Sequence, residues 1–197
     1  SGDTGQVMIC DSPGNYSSKD GGPFKDDAGC EDLAPLFFDA DGDGKIDLFV
    51  VSGGVECEPG EEVLRDRLYL GNGDGTFRHA PKGSLPDVRD SGSCVAAGDF
   101  DGDGDVDLFV GARVVPGRYP EVPSSRLLRN ESKPGVPKFV DMTASVSGLK
   151  KVGLVTDVIW SDANGDGRID LLMTCEWGPV RLYLNEAKGL TEKKDAG

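Results

Sequence analysis

Gly98-Asp-Phe-Asp-Gly-Asp-Gly-Asp-Val-Asp-Leu-Phe-Val110 governs the reading of this chain, because the same pattern stands in it three times. Phe38-Asp-Ala-Asp-Gly-Asp-Gly-Lys-Ile-Asp-Leu-Phe-Val50 precedes it, and Ser161-Asp-Ala-Asn-Gly-Asp-Gly-Arg-Ile-Asp-Leu-Leu-Met173 follows it. The first aspartates are Asp39, Asp99 and Asp162, spaced by 60 and 63 residues. Self-similarity at a near-constant period marks a repeat architecture. Short apolar runs flank each copy, at 33–38, 94–97 and 152–160 before it and at 48–51, 108–110 and 171–174 after it. Runs of this length between glycine-rich turns read as buried strands.

Further along each repeat comes a second strand pattern: Arg67-Leu-Tyr-Leu70, Arg126-Leu-Leu-Arg129 and Arg181-Leu-Tyr-Leu184. A phenylalanine-led strand follows twice, at Thr76-Phe77-Arg78 and Lys138-Phe139-Val140-Asp141, with the third copy cut short near Leu190. Four short antiparallel strands per repeat, A to D, with the acidic loop joining A to B, are the pattern of β-propeller blades. No helical period persists, which excludes a helical solenoid. The expectation is an all-β chain, a partial β-propeller of roughly three four-stranded blades. Residues 1–32 read as half a blade, with C and D strands at Val7-Met-Ile9 and Pro23-Phe24-Lys25-Asp26 around a Gly/Ser-rich insertion. The blades then run 33–93, 94–151 and 152–197, the last read as short of its final strand.

Each loop carries oxygen-bearing side chains at positions 1, 3, 5 and 9 with glycine at 6, the arrangement by which a turn wraps a hard cation such as Ca²⁺. Site one is Asp39, Asp41, Asp43, the carbonyl of Lys45, and Asp47. Site two is Asp99, Asp101, Asp103, the carbonyl of Asp105, and Asp107. Site three is Asp162, Asn164, Asp166, the carbonyl of Arg168, and Asp170. The cationic side chains of Lys45 and Arg168 fit only a backbone role at position 7. Carboxylates this close repel one another unless a cation neutralises them, so about three calcium ions are expected. An EF-hand would need Glu at position 12 and flanking helices. Val50, Val110 and Met173 stand there instead, between strands. Dockerin-type loops fail on the same position.

The segment Asp99-Phe-Asp-Gly-Asp-Gly-Asp-Val-Asp-Leu-Phe-Val-Gly-Ala112 resembles the FG-GAP/VCBS repeat of integrin-α-type β-propellers. Arg181-Leu-Tyr-Leu-Asn185 and Phe139-Val-Asp-Met-Thr143 look like later strands of the same repeat. The resemblance implies Ca²⁺ in the A–B loops of a usually extracellular propeller, used in adhesion or binding or carried beside an enzyme. Asn164 departs from the pattern, and the blade count falls short of a closed ring.

Composition sets the remaining limits. The 197 residues hold 35 acidic against 21 basic side chains, a net charge of −14, which repels phosphate backbones and disfavours nucleic acid as a partner. Twenty-nine glycines and 12 prolines suit a turn-dense chain. No apolar run reaches the roughly 18 residues of a membrane helix. Five cysteines without a CxxC pair, and the single histidine His79, disfavour zinc. Cys30–Cys57 is the preferred disulfide, since the start of strand A and the end of strand B share a rim, with Cys10–Cys30 second. Asn15 and Asn130 open Asn-x-Ser sequons. His79 reads as a rim residue with no carboxylate at metal or triad spacing, Trp160 and Trp177 as packing between blades, and Arg118 and Tyr119 as loop residues able to bind. No nucleophile elbow or phosphate-cradling loop is present.

The function expected is therefore a calcium-binding, non-enzymatic segment, extracellular, periplasmic or at the cell surface, serving adhesion or binding of a protein or glycan. Open blade faces invite self-association. The alternative is the propeller portion of a larger carbohydrate-active enzyme, a lyase or hydrolase.

Overall fold

A computed structural model describes residues 5–18 and 22–193. The outer ends of the first and last expected units, 1–4 and 194–197, and residues 19–21 of the Gly/Ser-rich insertion lie outside the described residues. Three four-stranded antiparallel meanders follow one another. The first holds β3 (Glu31–Phe38), β4 (Asp47–Gly53), β5 (Arg67–Gly71) and β6 (Phe77–His79); the second holds β7 (Gly92–Gly98), β8 (Asp107–Ala112), β9 (Arg126–Asn130) and β10 (Phe139–Asp141). The third holds β11 (Leu154–Ser161), β12 (Asp170–Glu176), β13 (Arg181–Glu186) and β14 (Gly189–Glu192). The third meander is thus complete, because the Ala187–Lys188 turn lets Leu190 pair with Asn185. Each acidic loop joins the first strand of its sheet to the second, and each first strand carries a bulge at the same place, around Leu33, Ser93 and Thr156.

The N-terminal stretch departs from expectation. β1 (Met8–Ser12) pairs with β2 (Asn15–Ser18) as a hairpin. Pro23–Asp26 forms a helical turn in place of a D strand. Proline at the first helical position lacks only an N–H that would have no partner anyway. Phe24 in that turn packs edge-on against Tyr69, with ring centroids 4.9 Å apart.

Alternation along the second strands builds the cores. Leu48 and Val50 face Phe24 and Val7, whereas Phe49 and Val51 join Phe38, Leu68 and Leu70 against Leu108, Val110, Leu128 and Phe139 of the second sheet. Phe109 and Leu127 turn the other way, onto Val155, Leu171, Met173 and Tyr183 of the third. The middle sheet is thus covered on both faces; the first leaves Leu33 and Phe37 exposed on its outer face beside Phe24 and Val7, and on the last Leu172, Leu182 and Leu184 share the outward face with the half-exposed Ile159. The first strand of the second sheet approaches the second strand of the first sheet closely, and glycine permits it: a Cβ on Gly92 of β7 would stand 2.2 Å from Val51 Cγ1 of β4. Trp160 also sits between sheets, stacked on Phe100 at 6.1 Å and donating from Nε1 to the Ala96 carbonyl.

No disulfide forms among the described residues; all five cysteines are free thiols. Pairing of β3 with β4 ends at Glu31 and Gly53, so no ladder holds Cys57, four residues further on in the loop, against Cys30. Asn130 is buried with its side-chain amide in use, so its sequon is closed in the folded chain.

One charged contact ties the first two sheets. Asp66, just before β5, accepts from Arg126 at the start of β9 and from the Ser52 amide at 3.1 Å. Both side chains are buried. Removing one partner of such a pair strands the other charge away from water. Asp66→Ala is expected to cost about 3–5 kcal/mol in chemical denaturation, and Asp66→Ala with Arg126→Leu to regain much of it. A double variant no more stable than the single one would show that stranded charge is not the cause.

Candidate metal centre

The acidic loops close through their own amides. Asp39 accepts the Asp43 amide on Oδ1 at 3.2 Å and the Gly44 amide on Oδ2 at 2.9 Å. Asp99 and Asp162 repeat this with Asp103 and Gly104, and with Asp166 and Gly167. The tightness requires glycine at loop positions 4 and 6: Gly42 and Gly44 have φ of 68° and 82°, a left-handed backbone that other residues enter only at a cost.

Position 9 lies at the start of the second strand with its carboxylate buried. Asp47 accepts the Ala40 amide on Oδ2 at 2.9 Å and the Gly71 amide on Oδ1 at 2.8 Å. Asp107 does the same with Phe100 and Asn130, and Asp170 with Ala163 and Asn185. Each carboxylate thereby pins its loop to the end of the third strand of its sheet.

Loop folding and this pin bring positions 1, 3 and 9 together. Ligand oxygens of Asp39, Asp41 and Asp47 lie within 4.8 Å of one another, as do those of Asp99, Asp101 and Asp107. Oxygens bound to one Ca²⁺ at about 2.3–2.6 Å span at most about 5 Å, so both trios fit one ion. Asp41 is 2% exposed, and its Oδ1 has no hydrogen-bond partner. A buried acceptor left so is costly, and a cation among the three carboxylates is the partner its surroundings suit. Position 5 stands apart from the trio: Asp43, Asp103 and Asp166 each accept the amide of position 7 at 2.9 Å. The basic side chains at position 7 turn back onto them, Lys45 Nζ to Asp43 at 2.7 Å and Arg168 Nη2 to Asp166 at 2.5 Å. Asp105 is exposed. In the third loop the Asn164 amide donates to Asp166 Oδ2 at 2.9 Å, so that loop brings one carboxylate fewer.

The electrostatics follow burial. Desolvation pushes Asp41, Asp47 and Asp101 above the ordinary carboxylate range, with the neighbouring aspartates adding to it. Asp107 is pushed up to about 7 by its burial, against the pull of its two amide donors. Asp43 is held low by Lys45, and Asp166 by the Arg168 amide and Asn164.

Two asparagines have a role that loop spacing alone does not reveal. Asn130 Nδ2 donates to the Val106 carbonyl and, across to the previous sheet, to the Ala40 carbonyl in the first loop, both at 3.1 Å. Asn185 Nδ2 reaches the Phe100 carbonyl of the second loop at 2.6 Å. The recurrence of Asn at the same strand end in two repeats was the available signal. Two other expectations are corrected. His79 does have carboxylates nearby, Asp26 at 3.6 Å and Asp27 at 3.7 Å, because the Pro23–Asp26 turn packs beside β6. Trp177 does not pack between sheets, because the short turn after β12 lifts it into solvent.

Residues 39–110 match the family model of the FG-GAP-like repeat. No curated protein matches the chain.

Two outcomes follow from this geometry. Asn130→Ala leaves the Ala40 and Val106 carbonyls short of a donor, and a loss of about 1–3 kcal/mol is expected, together with weaker metal binding in the first loop. Unchanged stability in urea titration would contradict the bridging role. The second concerns pH. Metal-free native protein holds the Asp107 proton more tightly than an unfolded chain, whose aspartates titrate near about 3.9. Its contribution to stability is therefore present at low pH and lost as pH rises through about 7. In excess EDTA the Tm should be higher at pH 6 than at pH 8, and calcium, competing for the same oxygens, should bind more weakly at pH 6. A metal-free Tm that rises between pH 6 and pH 8 would rule out this balance.

Proposed function

We propose that this chain, which carries an FG-GAP-like repeat over residues 39–110, is a calcium-stabilised segment of an extracytoplasmic β-propeller that acts as a binding module rather than an enzyme. The observation that carries the reading is the buried, unpartnered Oδ1 of Asp41 inside a trio of carboxylates whose spacing fits one divalent ion. Asp39, Asp41 and Asp47 would hold one ion and Asp99, Asp101 and Asp107 a second. Asp162, Asn164 and Asp170 would hold a third with less charge. The ion's contribution is structural: it neutralises carboxylates that the fold gathers and, at Asp41, Asp47, Asp107 and Asp170, buries.

The stacking of the meanders supports the propeller reading, since successive four-stranded sheets share cores in chain order and set their acidic loops at the same end. The outward face of the third sheet, with Ile159 and Leu172, is where a further repeat or another molecule would pack. Weak oxygen-rich calcium sites suit compartments with abundant calcium, where extracellular modules bind at roughly 10⁻⁴–10⁻³ M. No helix among the described residues is long and apolar enough to cross a membrane.

Calcium removal tests the reading. A site saturated about 100-fold above its Kd adds about 2.7 kcal/mol, which is large beside the roughly 5–15 kcal/mol of a whole domain. EDTA should lower the Tm sharply, Ca²⁺ should restore it, and Mg²⁺, which demands a tighter octahedral shell, should restore it poorly. Calorimetry should resolve two tighter sites and a weaker third. Asp101→Ala should remove one tight site, while Asp105→Ala leaves all of them. An unchanged melting curve in EDTA, with no metal found by elemental analysis, would falsify the calcium reading.

A further inference from the structure

At the ends of the strands opposite the acidic loops, the turn between β12 and β13 meets the long loop between β8 and β9. Trp177 stands in that turn, 80% exposed, more than any other large apolar side chain among the described residues. It is also the only non-glycine among them with a positive φ, 56°. Such a backbone is unfavourable for any residue but glycine, and strain of this kind clusters at functional sites. No core cluster includes this indole, so burial in a core does not hold it there.

Its surroundings are ordered. Tyr119, from the loop of the second sheet, meets the indole edge-on with ring centroids 5.6 Å apart. The Tyr119 hydroxyl donates to Glu176 Oε1 at 2.9 Å, and Arg113 Nε donates to Glu176 Oε2 at 2.8 Å. One carboxylate therefore fixes both the aromatic edge and the guanidinium before any ligand arrives. Arg113 is more than half exposed.

We propose that Trp177, Tyr119, Arg113 and Glu176 form a platform for a pyranose ring, the class of ligand being a neutral saccharide. A sugar presents a C–H-rich face that complements the negative face of an indole. Its rim of hydroxyls needs donors and acceptors, which Arg113 and Glu176 supply as charge-assisted partners. A protein interface would bury about 800 Å² on each side around an apolar centre. Here the exposed apolar side chains of the two loops are Tyr119 and Pro120 from one and Trp177, Pro179 and Val180 from the other, a few residues around one indole. Fixing the polar handles in advance lowers the ordering cost that so small a ligand must meet. The platform deepens the binding-module reading and rests on it, but uses none of the acidic-loop residues.

The test is ligand-observed NMR and calorimetry in saturating calcium. The probes are methyl β-glycosides of glucose, galactose, mannose and N-acetylglucosamine, with their β-linked tetrasaccharides. At least one should bind saturably with a Kd on the order of 1 mM, as a shallow site for about a dozen ligand atoms supports. Trp177→Gly, which suits the left-handed backbone, should keep or raise the Tm and weaken binding at least tenfold; Arg113→Ala should weaken it about fivefold. Absence of binding across the panel overturns the platform, as does a Trp177→Gly variant that binds like the parent. Calcium binding is read separately, by titration without sugar. A chain that holds calcium and no saccharide loses only the platform, whereas one that binds saccharide but no calcium keeps it.

Discussion

Asp47, Asp107 and Asp170 each bury a carboxylate and divide its two oxygens between an amide of the acidic loop and an amide at the end of the sheet's third strand. A charge taken out of water is unfavourable unless it is paired and hydrogen-bonded. Two amides offset part of that penalty, yet burial still pushes Asp47 and Asp107 above the ordinary carboxylate range. The rest of each sheet follows from this contact. It closes the loop, sets where the second strand begins and fixes the third strand against it. Bringing positions 1 and 3 beside position 9 then creates a concentration of negative charge that a divalent ion would relieve.

The sheets are coupled at two levels. Alternating side chains of one second strand serve two cores, so Leu108 belongs with the sheet before it and Phe109 with the sheet after. At the loop end, Asn130 and Asn185 extend from their own sheets to loop carbonyls of the sheet before. Gly71 holds the equivalent place in the first sheet, whose third strand is covered by Phe24, and a Cβ there would stand 2.0 Å from the Ile46 carbonyl.

Much of this was legible in the sequence because it rests on local spacing. The threefold loop, the strand order within each sheet and the aspartates at positions 1, 3 and 9 all follow from period and alternation. The contribution of position 5 was less legible, because Asp43 can bond either a metal or the amide two residues on, and spacing does not separate the two. Long-range partners were the least visible. Asn130 reads as a strand-end residue in a sequon, and only the stacking of sheets brings Ala40, 90 residues away, within reach. The Cys30–Cys57 pairing assumed that strand ends bring flanking residues together, but the ladder ends at Gly53 and leaves both thiols free. Pro23–Asp26 shows the same limit, since a single turn beside proline can be helix or strand until a neighbour such as Tyr69 decides.

The bridging asparagines give the repeat a direction that matters for how such chains grow by duplication. The segment copied in sequence is one period long, but the structural obligation is longer: a loop in one copy is finished by a residue in the next. A newly inserted copy must therefore serve its predecessor as well as itself. Copies can be added cheaply where the asparagine travels with the duplicated segment, and only with a compensating change where glycine stands in its place.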